Sequence, residues 1–149
     1  RLRLMRQLAT IGVPVGVLVA PIIPAITDHE IERILEACAA AGASRANYVM
    51  LRLPYEVKDL FREWLGAHFP QRAAHVMSLV QDLRAGSDND PSFGQRMSGR
   101  GGLAALTRTR FDVACRRFGL DQDRGLGLDT LQFRRPAVPE PSPQMSLGL

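Results

Sequence analysis

The sequence is poor in cysteine and has no long apolar run. Cys38 and Cys115 are the only cysteines in 149 residues, and their wide separation argues against a disulfide framework or a zinc ribbon. No apolar run approaches the roughly 20 residues that a membrane-spanning helix needs. The basic start does not lead into the apolar segment and cleavage site of a signal peptide. These absences predict a protein of the reducing cytoplasm with no membrane partner.

The chain also lacks an initiator methionine, and it opens inside a predicted helix over residues 1–11. We therefore expect a fragment of a longer protein whose missing part lies on the amino-terminal side. Lys58 is the only lysine, although lysine and arginine together number 19. This skew towards arginine is more typical of a GC-rich coding sequence than of a nucleic-acid surface. The net charge of +4 is nevertheless compatible with DNA as a partner.

Hydrophobic periodicity predicts alternating helices and strands in the first third of the chain. Residues 13–20 are a valine-rich apolar run, typical of a parallel strand that is covered on both faces. An amphipathic helix follows over 28–41, and a second strand covers 46–53. Short loops between these elements imply parallel strands with right-handed crossovers, and hence an α/β fold. Pro21 and Pro24 are expected to end the first strand, because proline has no N–H for the ladder.

The remainder of the chain is predicted to be helical and then irregular. Apolar residues recur at helical spacing over 55–67, 71–84 and 103–118. A polar, glycine-rich loop covers 85–102, and proline crowds the end of the chain. The expected divisions are 1–54, an α/β portion; 55–120, a helical extension; and 121–149, a Pro-rich flexible tail.

The loops after the two strands are the best candidates for a ligand site. Thr27 and Glu30 have the spacing of a helix capping box, and Asp28 adds negative charge at the helix start. Capping alone explains these three residues. Arg52 lies among apolar neighbours, where a charge is costly unless it is paired or reaches a ligand. An ion pair with Glu56 and contact with a ligand both meet that requirement.

The histidines do not indicate a metal site. His29, His68 and His75 show no H-x-x-x-H spacing. The sequence also has no G-x-S-x-G motif and no P-loop. No metal ligand and no catalytic residue is therefore assigned.

The last six residues, QMSLGL, follow a proline-rich linker. Apolar side chains in such a place can dock in extended form into hydrophobic pockets of a partner. The segment resembles the bacterial sliding-clamp-binding peptide, glutamine-leucine-x-leucine-x-leucine, with methionine for the first leucine. A sliding clamp is therefore a candidate partner. Its binding residues would be Gln144, Met145, Leu147 and Leu149.

Three longer segments resemble the carboxyl-terminal half of a radical S-adenosylmethionine (SAM) protein. They read VPVGVLVAPIIPAITDHEIERILEACAAAGA, YVMLRLP and EVKDLFREWL. The branch they resemble is the bacterial one related to spore photoproduct lyase and often labelled DNA repair photolyase, and the resemblance covers about residues 1–120. It implies the later strands of a partial (β/α)6 TIM-type barrel, followed by a helical extension. It further implies a [4Fe–4S] cluster that cleaves SAM reductively, with a DNA lesion as substrate.

The resemblance is incomplete at the motifs that bind cofactors. The chain has no C-x-x-x-C-x-x-C motif, so the cluster ligands are expected outside it. The fifth-strand motif G-x-I-x-G-x-x-E is met only in part, with Ile23 in place of the acid. The alternative is a non-catalytic α/β module that recruits a partner through residues 55–84 and the tail. The SAM-contacting residues implied by the resemblance are Val19, Pro21, Ile22, Met50 and Arg52.

Overall fold

The computed structural model of the protein describes residues 1–120, 131 and 133–135. Each helix and strand predicted from periodicity is present there, with bounds that differ by a few residues. No helix in this part of the chain is long and apolar enough to cross a bilayer. The elements are α1 (Leu2–Thr10), β1 (Gly16–Ile22), a 3₁₀ turn (Asp28–Glu30), α2 (Ile31–Ala40), β2 (Arg45–Met50), α3 (Val57–His68), α4 (Ala73–Asp82) and α5 (Gly101–Phe118).

β1 and β2 form a two-stranded parallel sheet, and α2 makes the crossover between them. The register runs evenly from Gly16 opposite Arg45, then shifts between Val19 and Ile22. Pro21 lies inside this shift, where the ladder does not need the N–H that proline lacks. The prediction that Pro21 ends the first strand was therefore wrong, because β1 continues to Ile22.

The predicted partial (β/α)6 barrel was also wrong. The described residues form a small α/β domain with two strands and five α-helices. A barrel wall requires each strand to be followed by another that pairs with it. Here β2 is followed by α3, α4 and α5 with no further strand among the described residues. Leu51 and Leu53, which extend the predicted second strand, pack instead against the helices that follow.

Two apolar clusters hold the domain together. The first lies between the sheet and helices α2 and α5, and it includes Leu35 and Phe111, which are fully buried. The ring of Tyr48 on β2 packs on Phe111, with 4.7 Å between ring centroids. The second cluster joins Leu53, just after β2, to Leu65 on α3 and to α4. Since Phe111 packs on β2, α5 belongs to the same core as the sheet.

Among the described residues, only one face of the sheet is covered. Side chains alternate between the two faces of a strand, so Val19 points towards α2 and α5 while its neighbours Leu18 and Ala20 point away. Leu18 is 59% exposed, and Ala20 and Asn47 are exposed beside it. The prediction that the first strand is covered on both faces was therefore wrong for the described chain. We call Leu18, Ala20 and Asn47 the bare face.

The loop between β1 and α2 is closed differently from the predicted capping box. The Thr27 hydroxyl accepts a hydrogen bond of 2.9 Å from the backbone N–H of Ile23. It makes no cap hydrogen bond to the 3₁₀ turn that follows. Glu30 forms an ion pair with Arg33, one turn along α2. The capping-box prediction was wrong because Thr27 turns back to fasten its own loop.

Candidate functional site

The carboxyl end of β2 forms backbone hydrogen bonds on both of its edges. The N–H of Leu51 donates to the carbonyl of Ile22, at 2.9 Å. On the other side, the N–H of Met50 donates to the carbonyl of Met97, at 2.8 Å. The glycine-rich loop therefore lies where a further strand would pair with β2.

This loop comes close to the end of α4. Gly99 has a φ of +77°, a conformation that side chains disfavour. A Cβ atom at Gly99 would lie 3.3 Å from the carbonyl oxygen of Leu83. The same carbonyl accepts a hydrogen bond of 3.0 Å from the N–H of Arg100. Glycine is thus required at position 99 both by the conformation and by the space.

Arg84 connects the loop to the end of β2. Its side chain is buried, with 1% of the residue exposed. Nη2 donates to the carbonyl of Leu51 at 2.7 Å. Nη1 donates to the carbonyls of Gln95 at 3.2 Å and Arg96 at 3.0 Å. One guanidinium therefore holds two separate segments of the chain by their backbone.

The charge of Arg84 is not matched by a carboxylate. Among the described residues, none of the ion pairs includes Arg84. Burial lowers its pKa, and the nearby charge of Arg52 lowers it further, while Asp90 acts in the opposite direction. Asp90 is itself paired with Arg100 at 3.3 Å. The end of β2 consequently carries an excess of positive charge.

Arg52 is the charged residue among the predicted site residues of this region. It is half-buried, and its Nε is buried without a hydrogen-bond partner. It makes no ion pair with Glu56 within the described range, and Glu56 is exposed. Of the two ways of satisfying Arg52 that the sequence left open, the ion pair with Glu56 is absent here.

The other residues predicted to contact SAM lie in two different environments. Val19, Ile22 and Met50 are buried in the core between the sheet and the helices. Pro21 is exposed at the end of β1. A ligand on the bare face could reach the buried three only through their backbone, and their contact with SAM stays a prediction. Gln144, Met145, Leu147 and Leu149 lie outside the described residues.

The bare face was missed by the sequence reasoning, although a signal for it exists. Alternation along 16–20 places Leu18 and Ala20 on the side opposite Val19. Asn47, a polar residue within an apolar strand, is on the same side. Arg84 was also missed, and no local pattern identifies it, since its acceptors come from distant segments.

Both cysteines are buried, Cys38 on α2 and Cys115 on α5. Burial raises the pKa of the Cys38 thiol, so it is protonated and poorly nucleophilic at neutral pH. In the part of the chain that the structure describes, no group of three or more histidine, cysteine or acidic residues could hold a metal.

No protein-family model matches the chain, and neither the curated proteins nor the solved structures include a significant match.

Proposed function

We propose that this chain is part of a radical SAM enzyme, in which it supplies a surface against which SAM packs. The observation that carries the proposal is the bare face in the middle of two parallel strands. Parallel sheets are normally covered on both faces, and ligands of α/β proteins lie near the carboxyl ends of such strands. The resemblance of the sequence to radical SAM proteins supports SAM as the ligand.

The residues of the bare face fit an adenosyl group. Leu18 and Ala20 offer an apolar surface to a flat ring. The Asn47 side-chain oxygen accepts a hydrogen bond of 2.8 Å from the N–H of Tyr48, which leaves the amide NH₂ as a donor. The backbone groups of Leu18 and Ala20 point away from β2, because alternate residues of a strand bond to opposite sides. Apolar area, an amide and backbone groups without a strand partner among the described residues are what a small-molecule site requires.

A [4Fe–4S] cluster does not fit the described residues. Cys38 and Cys115 are buried on two different helices, and no larger group of ligands is present in that range. The proposal therefore assigns the cluster ligands to another part of the enzyme. The role of this chain is to bind and orient SAM and to exclude water from one side of it.

DNA as the substrate is the second part of the proposal. It is supported by the branch that the sequence resembles and by the net charge of +4. Arginine is the residue best suited to bidentate contact with phosphate. Arg52, Arg96 and Arg100 lie near the end of β2 and are the candidates for such contacts among the described residues.

The test uses the enzyme as the cell makes it, purified without oxygen and supplied with a reductant. We expect release of 5′-deoxyadenosine from SAM. Leu18→Glu should raise the KM for SAM at least tenfold, because a charge replaces apolar surface. Leu4→Glu on α1 is the matched control, since Leu4 is also 59% exposed. Absence of 5′-deoxyadenosine, or equal KM values for the two variants, would overturn the proposal.

A second function is favoured by one feature of α3. Val57, Leu60 and Trp64 are exposed, and their spacing places them on one face of the helix. Phe61 and Leu65 on the neighbouring face pack into the second cluster. An exposed apolar stripe next to a packed one is typical of a helix that binds another protein. The chain would then be a binding module for a partner such as a sliding clamp.

Binding of a purified bacterial sliding clamp to the full chain tests this second function. We expect a micromolar Kd by surface plasmon resonance, weakened by Leu60→Asp and by Leu147→Ala. Leu106→Asp, on the exposed side of α5, is the control and should leave the Kd unchanged. Lack of binding, or an equal effect of all three substitutions, would count against the module.

A further inference from the structure

The charge of Arg52 acts on the buried guanidinium of Arg84 at the end of β2. Arg84 donates to the carbonyl of Leu51, the residue that precedes Arg52. Its guanidinium therefore lies against the stretch of backbone from which Arg52 projects. The Nε atoms of both arginines are buried and have no hydrogen-bond partner. Two like charges in a partly desolvated place repel one another, and each also loses hydration.

Asp90, whose charge acts on Arg84, already has other partners. Asp90 pairs with Arg100 at 3.3 Å, and it accepts the N–H of Ser92 at 2.9 Å. It forms no ion pair with Arg52 or Arg84. Its charge is therefore shared with a third arginine.

The other acid of this loop is engaged as well. Asp88 accepts hydrogen bonds from Arg62 at 2.8 Å and from Gln81 at 2.9 Å. Both of its carboxylate oxygens are used in these bonds. Within the described residues, neither acid of this loop forms an ion pair with Arg52 or Arg84.

The two arginines differ in their access to a ligand. Arg84 is enclosed and fixed by three backbone carbonyls. Arg52 is only half-buried, so the outer nitrogens of its guanidinium can reach a molecule in solution. These nitrogens present two parallel N–H groups, which match the two oxygens of a carboxylate or phosphate.

We propose that Arg52 binds an oxyanion, a carboxylate or a phosphate, at the carboxyl end of β2, with the buried charge of Arg84 behind it. Arg52 is the contact residue, and Arg84 is a positioning residue that also raises the local potential. The inference does not depend on the proposed function. The carboxylate of SAM and a phosphate group of another ligand are two sources of the same chemistry.

The test is a titration of the full chain with inorganic phosphate, followed by ¹⁵N NMR of the arginine Nε–H groups. We expect a saturable shift of the Arg52 signal at millimolar phosphate. Arg52→Gln should abolish saturable phosphate binding, measured by calorimetry. Arg52→Lys keeps the charge but loses the paired donors, and should weaken binding about tenfold. Unchanged amide spectra elsewhere will confirm that each variant is folded.

Arg45→Gln is the matched control. Arg45 is a half-buried arginine at the opposite end of β2, and its removal changes the net charge by the same amount. Phosphate binding should survive in this variant. Equal loss in Arg45→Gln and Arg52→Gln, or a shift that does not saturate, would overturn the proposal, because either result indicates unspecific attraction to positive charge.

Competition then distinguishes the sources of the oxyanion. If SAM displaces phosphate and decarboxylated SAM does not, the site takes the carboxylate of SAM. If phosphate and SAM bind together, the site takes a phosphate. If SAM does not bind at all, the proposed function fails, while saturable phosphate binding at Arg52 still supports the site.

Discussion

The guanidinium of Arg84 donates a hydrogen bond of 2.7 Å to the carbonyl oxygen of Leu51. This bond joins the turn that follows α4 to the end of β2, across 33 positions in the sequence. A carbonyl just beyond a strand would otherwise be buried without a donor, which costs free energy. The position of the glycine-rich loop depends on the same side chain, through the carbonyls of Gln95 and Arg96.

Replacing Arg84 should therefore destabilise the whole domain. Arg84→Met keeps most of the length of the side chain but removes three hydrogen bonds. The carbonyls of Leu51 and Arg96 lose their donor, whereas that of Gln95 still accepts from the N–H of Gly99. We expect the free energy of unfolding to fall by about 2–4 kcal/mol, measured by urea denaturation. Arg116→Met, at an exposed position of α5, should change it by less than about 0.5 kcal/mol. Equal effects would show that the three hydrogen bonds are not what matters.

The contact between α5 and the sheet can be tested at Phe111. Its ring is fully buried and packs against Tyr48. Phe111→Ala should lower the free energy of unfolding by about 3–5 kcal/mol, through lost burial and the cavity that remains. Leu106→Ala removes an exposed side chain of the same helix and should have little effect. If Phe111→Ala lowered the free energy of unfolding only slightly, α5 would not be packed firmly against the sheet.

Substitution by alanine should change the stability of the domain in opposite directions at two glycines. Gly99 has a positive φ and little room beside the Leu83 carbonyl, so Gly99→Ala should cost about 1–3 kcal/mol. Gly66 lies within α3, and nothing is near its missing side chain. Gly66→Ala should stabilise the domain by up to about 1 kcal/mol. Thermal melts of the two variants provide the comparison, and a stabilising Gly99→Ala would contradict the structure.

The ion pair between Arg110 and Glu32 should make stability depend on pH. Arg110 reaches both oxygens of Glu32, at 3.0 and 2.9 Å. The Arg110 hydrogen bond lowers the pKa of the Glu32 carboxyl below its usual 4.5. The contribution of this ion pair to the stability of the folded protein is therefore complete above pH 4.5. It is lost as the pH falls through the lowered pKa of Glu32. Because Glu32 is partly exposed, we expect only about 0.2–1 kcal/mol at neutral pH.

Glu32→Gln tests this expectation by urea denaturation at several pH values. The variant should be less stable than the natural protein at pH 7, and the difference should disappear well below pH 4.5. Glu36→Gln, one turn further along α2, is the control, since Glu36 forms no ion pair within the described residues. A difference that persists in acid would contradict the assignment to Glu32.

The elements of this fold are predictable because their signals are local. Leu35 and Phe111 lie at helical spacing among other apolar residues, and both are in the core. Glycine or proline marks most of the turns. The prediction of a partial barrel was wrong because it did not come from such local signals. It came from a resemblance that implies partners for both strands, whereas periodicity alone does not determine how many strands a sheet contains.

The candidate site is less predictable than the fold. In the sequence, Arg84 looks like an ordinary charged residue at the end of a helix. Such residues are mostly exposed, so its burial is not expected. Its burial depends on carbonyls at Leu51, Gln95 and Arg96, which come near only after folding. The capping-box prediction for Thr27 was wrong for a related reason. A threonine hydroxyl can hydrogen-bond to the start of a helix or to the backbone of its own loop. Arg52 could be selected as a candidate because a charge among apolar neighbours is a local signal, and its contact with a ligand stays a prediction.

The hydrogen bond between Met50 and Met97 makes the two edges of the sheet unequal. The edge of β2 is partly occupied by the glycine-rich loop, whereas β1 has no neighbour on its other side among the described residues. Any additional strand would therefore align next to β1, with Leu18 and Ala20 offering it their backbone groups. Growth of this sheet is consequently directional, and β2 would remain its terminal strand.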